Sequence, residues 1–183
     1  MSGSHASGKS TLVADLTSAL RCDQLPDPFE LVDQDDDPSG AASFVAQLRV
    51  AAERLLALPT GSRVVAERGP LDLLAYLEAL DDLGRPSVEA ALRGSLRATT
   101  RLAMGQVDLH VVLPLDARDG IHVPDDEDPD LREAMDARLL DLVDDPDLVP
   151  VTTTVVEVAG SPGARLDQVL AAVRARRHRR STP

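Results

Sequence analysis

Aromatic residues are nearly missing from this chain of 183 residues: Phe29, Phe44 and Tyr76 are all it has, and there is no tryptophan. A core must therefore be assembled from leucine, valine and alanine, and there is no aromatic platform on which single-stranded bases stack. Cysteine is represented by Cys22 alone, which excludes an intramolecular disulfide and a metal site built from cysteines. No long apolar run occurs, and the first residues lack a charged segment followed by an apolar one, so neither a membrane span nor a signal peptide is read here. A net charge of −12 disfavours nucleic acid and anionic membranes as partners. The expectation is one cytoplasmic domain over residues 1–183, with a homodimer compatible with the sequence.

Lysine is as scarce as cysteine. Among nineteen lysines and arginines Lys9 is the only lysine, and it stands in Gly3-Ser4-His5-Ala6-Ser7-Gly8-Lys9-Ser10-Thr11, which fits G-x-x-x-x-G-K-[ST]. A loop that wraps a triphosphate must aim several backbone N–H groups inward, and the glycines give the backbone that freedom. In this reading Lys9 bridges the β- and γ-phosphates, Ser10 places its hydroxyl on Mg²⁺, and the helix that begins here adds its N-terminal dipole. Lys9 is expected to be exposed while the loop is empty. Thr11 is a second, less decisive hydroxyl.

Only Met1 and Ser2 precede Gly3, too few for a strand of ordinary length, although a loop of this kind follows a buried strand. The expected fold is α/β, a doubly wound parallel sheet of P-loop nucleotide-kinase-like type, with the strand before the loop missing. Its loss leaves a gap of about 9–10 Å, two strand spacings, and implies that the native product starts upstream of Met1. The alternative is that another segment fills the place.

Further along, Lys9 to about Arg21 reads as a helix, with Leu12, Val13, Leu16 and Leu20 on one side. Residues 22–40 hold three prolines and the acidic cluster Asp33, Asp35, Asp36 and Asp37, with Phe29–Val32 as a short strand; Glu30 or Asp33 is a candidate general base. A helix over 41–58 leads to the strand Arg63–Ala66, which delivers Glu67 and Arg68 at its C-terminal end, where doubly wound sheets bind ligands. Glu67 is a candidate for holding Mg²⁺ through water, and Arg68 for clamping a phosphate oxygen. Asp72 opens the next helix, either as a dipole-favoured acid or as a substrate contact. Helices over 71–80 and 88–104 precede the strand 107–115, in which His110 reads as a packed or edge histidine.

Residues 116–145 combine Arg118, Asp119, Gly120 and His122, an acidic run, and a helix bearing Arg132 and Arg138. An arginine-bearing lid there would neutralise charge developing in phosphoryl transfer and exclude water. The last strand, 152–158, ends at a turn containing Gly160 that is placed to touch a purine, and Arg165 lies on the first turn of the closing helix. A basic tail over 174–183 complements that helix's C-terminus and frays.

Together, the Gly3–Thr11 loop, Glu67-Arg68 with Asp72 and Tyr76, Asp119-Gly120, Arg132, and Gly160 with Arg165 make the chain resemble the P-loop nucleoside- and nucleotide-kinase-like ATP-binding proteins. In particular, it is similar to the nicotinamide riboside kinase domain. The resemblance implies a five-stranded parallel sheet, MgATP as phosphate donor and a small hydroxyl- or phosphate-bearing acceptor. The first functional expectation is thus a small-molecule kinase. Lys9 binds the phosphates, Ser10 and Glu67 bind Mg²⁺, Arg68 and Arg132 stabilise transferred charge, and an acid among Asp33 and Asp72 orients the acceptor. The others are a nucleotide-dependent switch with weak ATPase activity and a truncated member that binds nothing.

Overall fold

The computed structural model describes residues 1–32, 37, 39–115 and 128–181. In chain order the elements are α1 (Lys9–Leu20), β1 (Asp23–Leu25), a 3₁₀ turn (Pro28–Leu31), α2 (Ala41–Leu56), β2 (Val64–Ala66), α3 (Pro70–Asp82), α4 (Ala90–Met104), β3 (Leu109–Val112), α5 (Pro129–Val143), β4 (Thr154–Glu157) and α6 (Pro162–Ser181). Three helices, α3, α5 and α6, begin with proline at the first position, where its missing N–H costs no hydrogen bond. Asp128 caps α5 by accepting from Leu131 N.

One strand differs from the sequence expectation. Phe29–Val32 does not form a strand; Asp23–Leu25 does, and Pro28–Leu31 is a 3₁₀ turn. The cause is local: Asp27 Oδ1 accepts from Phe29 N at 3.0 Å and Pro28 sets the helical φ, so the chain turns just where extension was expected. The basic tail is likewise helical through Ser181 rather than frayed from residue 174.

The strands form two parallel pairs. β1 lies beside β2 with Asp23 opposite Val64, and β3 lies beside β4 with Leu109 opposite Thr154. Between the pairs stand only Met1 and Ser2. Ser2 bridges Val112 in parallel, donating to Val111 O at 2.8 Å and accepting from Leu113 N at 2.9 Å, while the Met1 ammonium donates to Ala66 O at 3.0 Å. Among the described residues no other segment enters the space behind them, and an apolar cavity of about 220 Å³ lies there between β2 and β3.

Helices cover both faces. Alternation along β3 sends Val112 into the larger core, built from α2, α3, α4 and α5, and sends Val111 and Leu113 into the smaller one with Leu12, Leu16 and Val169 of α1 and α6. Leucine, valine and alanine make up nearly all of both, with Phe44 stacked on Tyr76 at 4.6 Å between centroids. Helix α5 packs into the larger core through Leu131, Met135 and Leu139. Arg118, Asp119, Gly120 and His122 lie outside the described residues.

His110 is the polar exception in β3. It is buried, its Nε2 lies 2.6 Å from Ser2 Oγ, and its Nδ1 has no hydrogen-bond partner. Burial, seconded by the nearby Met1 ammonium, pushes its pKa down to about 3. The folded value is below the unfolded one, so the unfolded chain takes up the proton first. Stability from this group is complete above pH ~6.5 and is lost as the pH falls towards about 3. In a His110→Asn variant the fall of the thermal midpoint between pH 6.5 and 4 is expected to be shallower than in the parent; an equal slope would remove His110 as its source.

Candidate functional site

The site is built from the loop outward. Gly3 has φ 155°, and a Cβ on it would lie 2.7 Å from Leu113 O and 2.8 Å from Ser7 Oγ, so no side chain fits. Ala6 at φ 50° and Gly8 at φ 86° are left-handed, and Gly8 caps the start of α1. Lys9 folds back over this loop. Its Nζ donates to Gly3 O at 2.9 Å and Ser4 O at 2.6 Å, and the residue is only 5% exposed, contrary to the exposed lysine expected from sequence. The reason is geometric: the Gly3 and Ser4 carbonyls need a donor, and the ammonium at the first turn of α1 is within reach. Burial, ahead of the neighbouring Arg68 charge, lowers the Lys9 pKa to about 8.

The loop is held from outside by three helices. Tyr76 Oη on α3 accepts from His5 N at 3.1 Å, Arg132 on α5 donates through Nε to His5 O at 2.9 Å, and Arg165 on α6 donates through Nη1 to Ser7 O at 2.8 Å. Arg165 is buried, so its cation is committed to this place. Ser10 Oγ donates to Glu67 Oε1, and Gln24 Nε2 approaches Glu67 Oε2 at 3.4 Å. The hydroxyl and carboxylate named as candidate metal ligands are therefore in contact. Gly160 lies exposed in the turn after β4 at φ 92°, and Thr11 is exposed on the first turn of α1.

Arg68 follows β2 with φ 57°, a left-handed conformation uncommon for a residue with a side chain. Its Nε lies 3.2 Å from Asp27 Oδ2, an ion-pair distance without hydrogen-bond geometry, and its Cζ sits 5.5 Å over the Tyr76 ring. Burial works most strongly against the Arg68 charge, but Asp27, Tyr76, Asp72 and Glu67 together outweigh it and raise the pKa. Asp27 is the acid that sequence reasoning missed. Its signal was present, because aspartate before Pro28 is a helix-start pattern that would have put the strand upstream of it. Asp33 lies outside the described residues.

Asp72 corrects an expectation. It is fully buried, with Oδ2 accepting from Ser2 Oγ at 2.5 Å and Gly69 N at 3.1 Å, and Oδ1 accepting from Gly3 N at 2.9 Å. A carboxylate so occupied has no open face for an acceptor. It is a positioning residue, fixing the start of the loop to the start of α3.

Compared by sequence, the chain matches no protein-family model and no curated protein. Compared by fold, it is similar to a deoxyadenosine kinase from M. mycoides solved with the products dCMP and a flexible dCDP bound. The TM-score is 0.69 at 12% identity, over 95% of this chain and 97% of that one. The α/β fold with short parallel strands thus resembles that of a nucleoside kinase.

Asp72→Ala leaves Gly3 N, Gly69 N and Ser2 Oγ without their acceptor, each a loss of about 1–3 kcal/mol. A drop of roughly 3–5 kcal/mol in unfolding free energy is expected by urea titration; a drop under about 1 kcal/mol would show that the carboxylate does not hold this junction.

Proposed function

We propose that the protein is a phosphotransferase that moves the γ-phosphoryl group of MgATP to a hydroxyl of a small nucleoside-type acceptor. The observation that carries this reading is the convergence at one loop of Lys9, the Ser10–Glu67 pair and the Asp27–Arg68 pair, with Arg132 and Arg165 tied to the same loop. The fold likeness to a deoxyadenosine kinase supports the nucleoside class of acceptor.

The residues fit a magnesium triphosphate. The left-handed Ala6 and Gly8 and the folded-back Lys9 form a cradle of N–H groups and one ammonium, and Ser10 with Glu67 offers the hydroxyl and carboxylate oxygens that a hard cation takes. Mg²⁺, when bound, draws charge from the phosphate oxygens. Lys9 exchanges its carbonyl partners for phosphate, while Arg68 and Arg132 offset charge developing on the transferred group. Arg165 and Gly160 border the nucleotide from the α6 side.

Asp27 is the general base of this reading. It is a partly buried carboxylate at the C-terminal side of β1, held at ion-pair distance by Arg68, and it accepts the acceptor's hydroxyl proton as the oxygen attacks. The stacked Phe44 and Tyr76, with the buried Gln47 one turn along α2 from Phe44, form the acceptor's recognition wall. Gln47 donates to Ser43 Oγ at 3.0 Å, and its buried Oε1 has no hydrogen-bond partner among the described residues.

The test is ADP formation from MgATP across a panel of nucleosides and deoxynucleosides. Release that depends on an added nucleoside supports the reading, and slow release independent of every acceptor overturns it. Asp27→Asn is expected to lower kcat by about 10²–10⁴ with MgATP binding retained, whereas an unchanged kcat removes Asp27 as base. The Lys9 pKa of about 8 adds a second signature. A bound triphosphate favours the ammonium, so binding at pH ~8.5 takes up a substantial fraction of a proton. Calorimetry in two buffers of different ionisation enthalpy should detect it in the parent and not in Lys9→Arg, whose guanidinium is always protonated.

A further inference from the structure

Helix α6 packs on the smaller core through Leu166, Val169, Leu170 and Val173, spaced i, i+3, i+4 and i+7. Three and four residues beyond Val173 the same face carries Arg176 and Arg177, so the apolar stripe turns basic where the helix passes the start of β3. A second cavity, of about 260 Å³, lies there, between α6, residues 61–63 ahead of β2, and Asp108 and Leu109 at the start of β3. Glu67, Arg68 and the Gly3–Thr11 loop stand at the other ends of these strands. This cavity is thus separate from the candidate site.

Its lining is cationic. Arg63, Arg176 and Arg177 stand against Asp108, the only acid among the described lining residues. Arg176 is fixed: Nη1 donates to Thr152 O at 2.9 Å and Thr154 Oγ1 at 3.0 Å, and Nη2 pairs with Asp108 Oδ1 at 2.6 Å. Its Nε is buried with no hydrogen-bond partner among the described residues. Arg63 donates through Nη2 to Leu20 O at 2.7 Å, and both Arg63 and Arg177 are exposed. Beyond the lining, Asp23, whose N–H bonds Arg63 O, adds an acid beside Arg63, and Arg21, next to Leu20, adds a cation. Complementing the α6 dipole accounts for Arg176 and Arg177 but not for Arg63, which a distant part of the chain brings to the same cavity.

We propose that this cavity is a binding site for a small polyanion carrying several phosphates, gripped by Arg63 and Arg177 with Arg176 as the fixed support. The planar forks of guanidinium groups match phosphate oxygens two at a time, and three forks around one hollow suit a chain of phosphates. No aromatic residue lines the cavity, so nothing there stacks on a base and the phosphates are what is read. A long nucleic acid fits less well, because it would extend beyond the hollow over a molecule of net charge −12.

The test follows the side-chain Nε–H signals of Arg63, Arg176 and Arg177 by NMR while inorganic tripolyphosphate is added to the 183-residue chain at low salt; these local signals separate the cavity from binding at the Gly3–Thr11 loop. Saturable shifts of all three are expected, with equal affinity for tripolyphosphate and magnesium-free ATP. Arg63→Gln and Arg177→Gln should each weaken binding roughly tenfold or more, the loss of a charge-assisted hydrogen bond, with the thermal midpoint unchanged. Arg179→Gln, on the same helix but outside the lining, should change it within about twofold. Unmoved signals would overturn the proposal, and so would equal weakening by Arg179→Gln, which makes the tail a diffuse charge. Tenfold tighter binding of ATP than of tripolyphosphate, or tighter binding of a DNA duplex, would overturn it as well.

Discussion

The buried carboxylate of Asp72 is the interaction on which the rest of the molecule depends. Far from water, its oxygens must be met by donors from the protein, and two separate stretches supply them: Ser2 with Gly3, and Gly69. Ser2 passes the connection on to His110, so one chain of hydrogen bonds runs from the first turn of α3 through the start of the loop into β3. A local motif, a carboxylate closing the first turn of its own helix, thereby becomes the joint between the two strand pairs. The N-terminal dipole of α3 favours a negative charge at this place.

The Gly3–Thr11 loop is a second consequence of satisfying buried polar groups. Cations answer its carbonyls: Lys9 on Gly3 and Ser4, Arg132 on His5, Arg165 on Ser7. Arg68 lies close enough to lower the Lys9 pKa. A chain with net charge −12 thus gathers four cations around one concave loop. Asp72, Asp27 and Glu67 stand among these cations, so the charges around the loop are matched locally. Asp27 sits within that group of cations and holds Arg68 in place by an ion pair partly shielded from water.

The layer arrangement sets the distances. Two strand pairs, clamped by α1 and α6 on one face and by α2, α3, α4 and α5 on the other, bring Gln24, Asp27 and Glu67 to the same end of the molecule as the loop. Short strands suffice for this because the helices carry most of the buried leucine.

What the sequence by itself determined is what depends on near neighbours. The G-x-x-x-x-G-K-S pattern, the helical spacing of Leu12, Leu16 and Leu20, and the apolar run ahead of Glu67 are all local, and each stands where its pattern put it. The pairing of Ser10 with Glu67 was legible for the same reason: a loop motif and a strand end are both local signals that a parallel sheet brings to one edge. A three-residue strand is too short to show a period, so Asp23–Leu25 was invisible until β2 lay beside it, and Asp27 was hidden with it. Tertiary structure alone decided that Asp72 faces inward to three donors and that Lys9 is buried. It also decided that Arg132 and Arg165 reach carbonyls more than a hundred residues away. These outcomes follow from the need to satisfy buried polar groups, and the partners that satisfy them become neighbours only when the chain has closed around them.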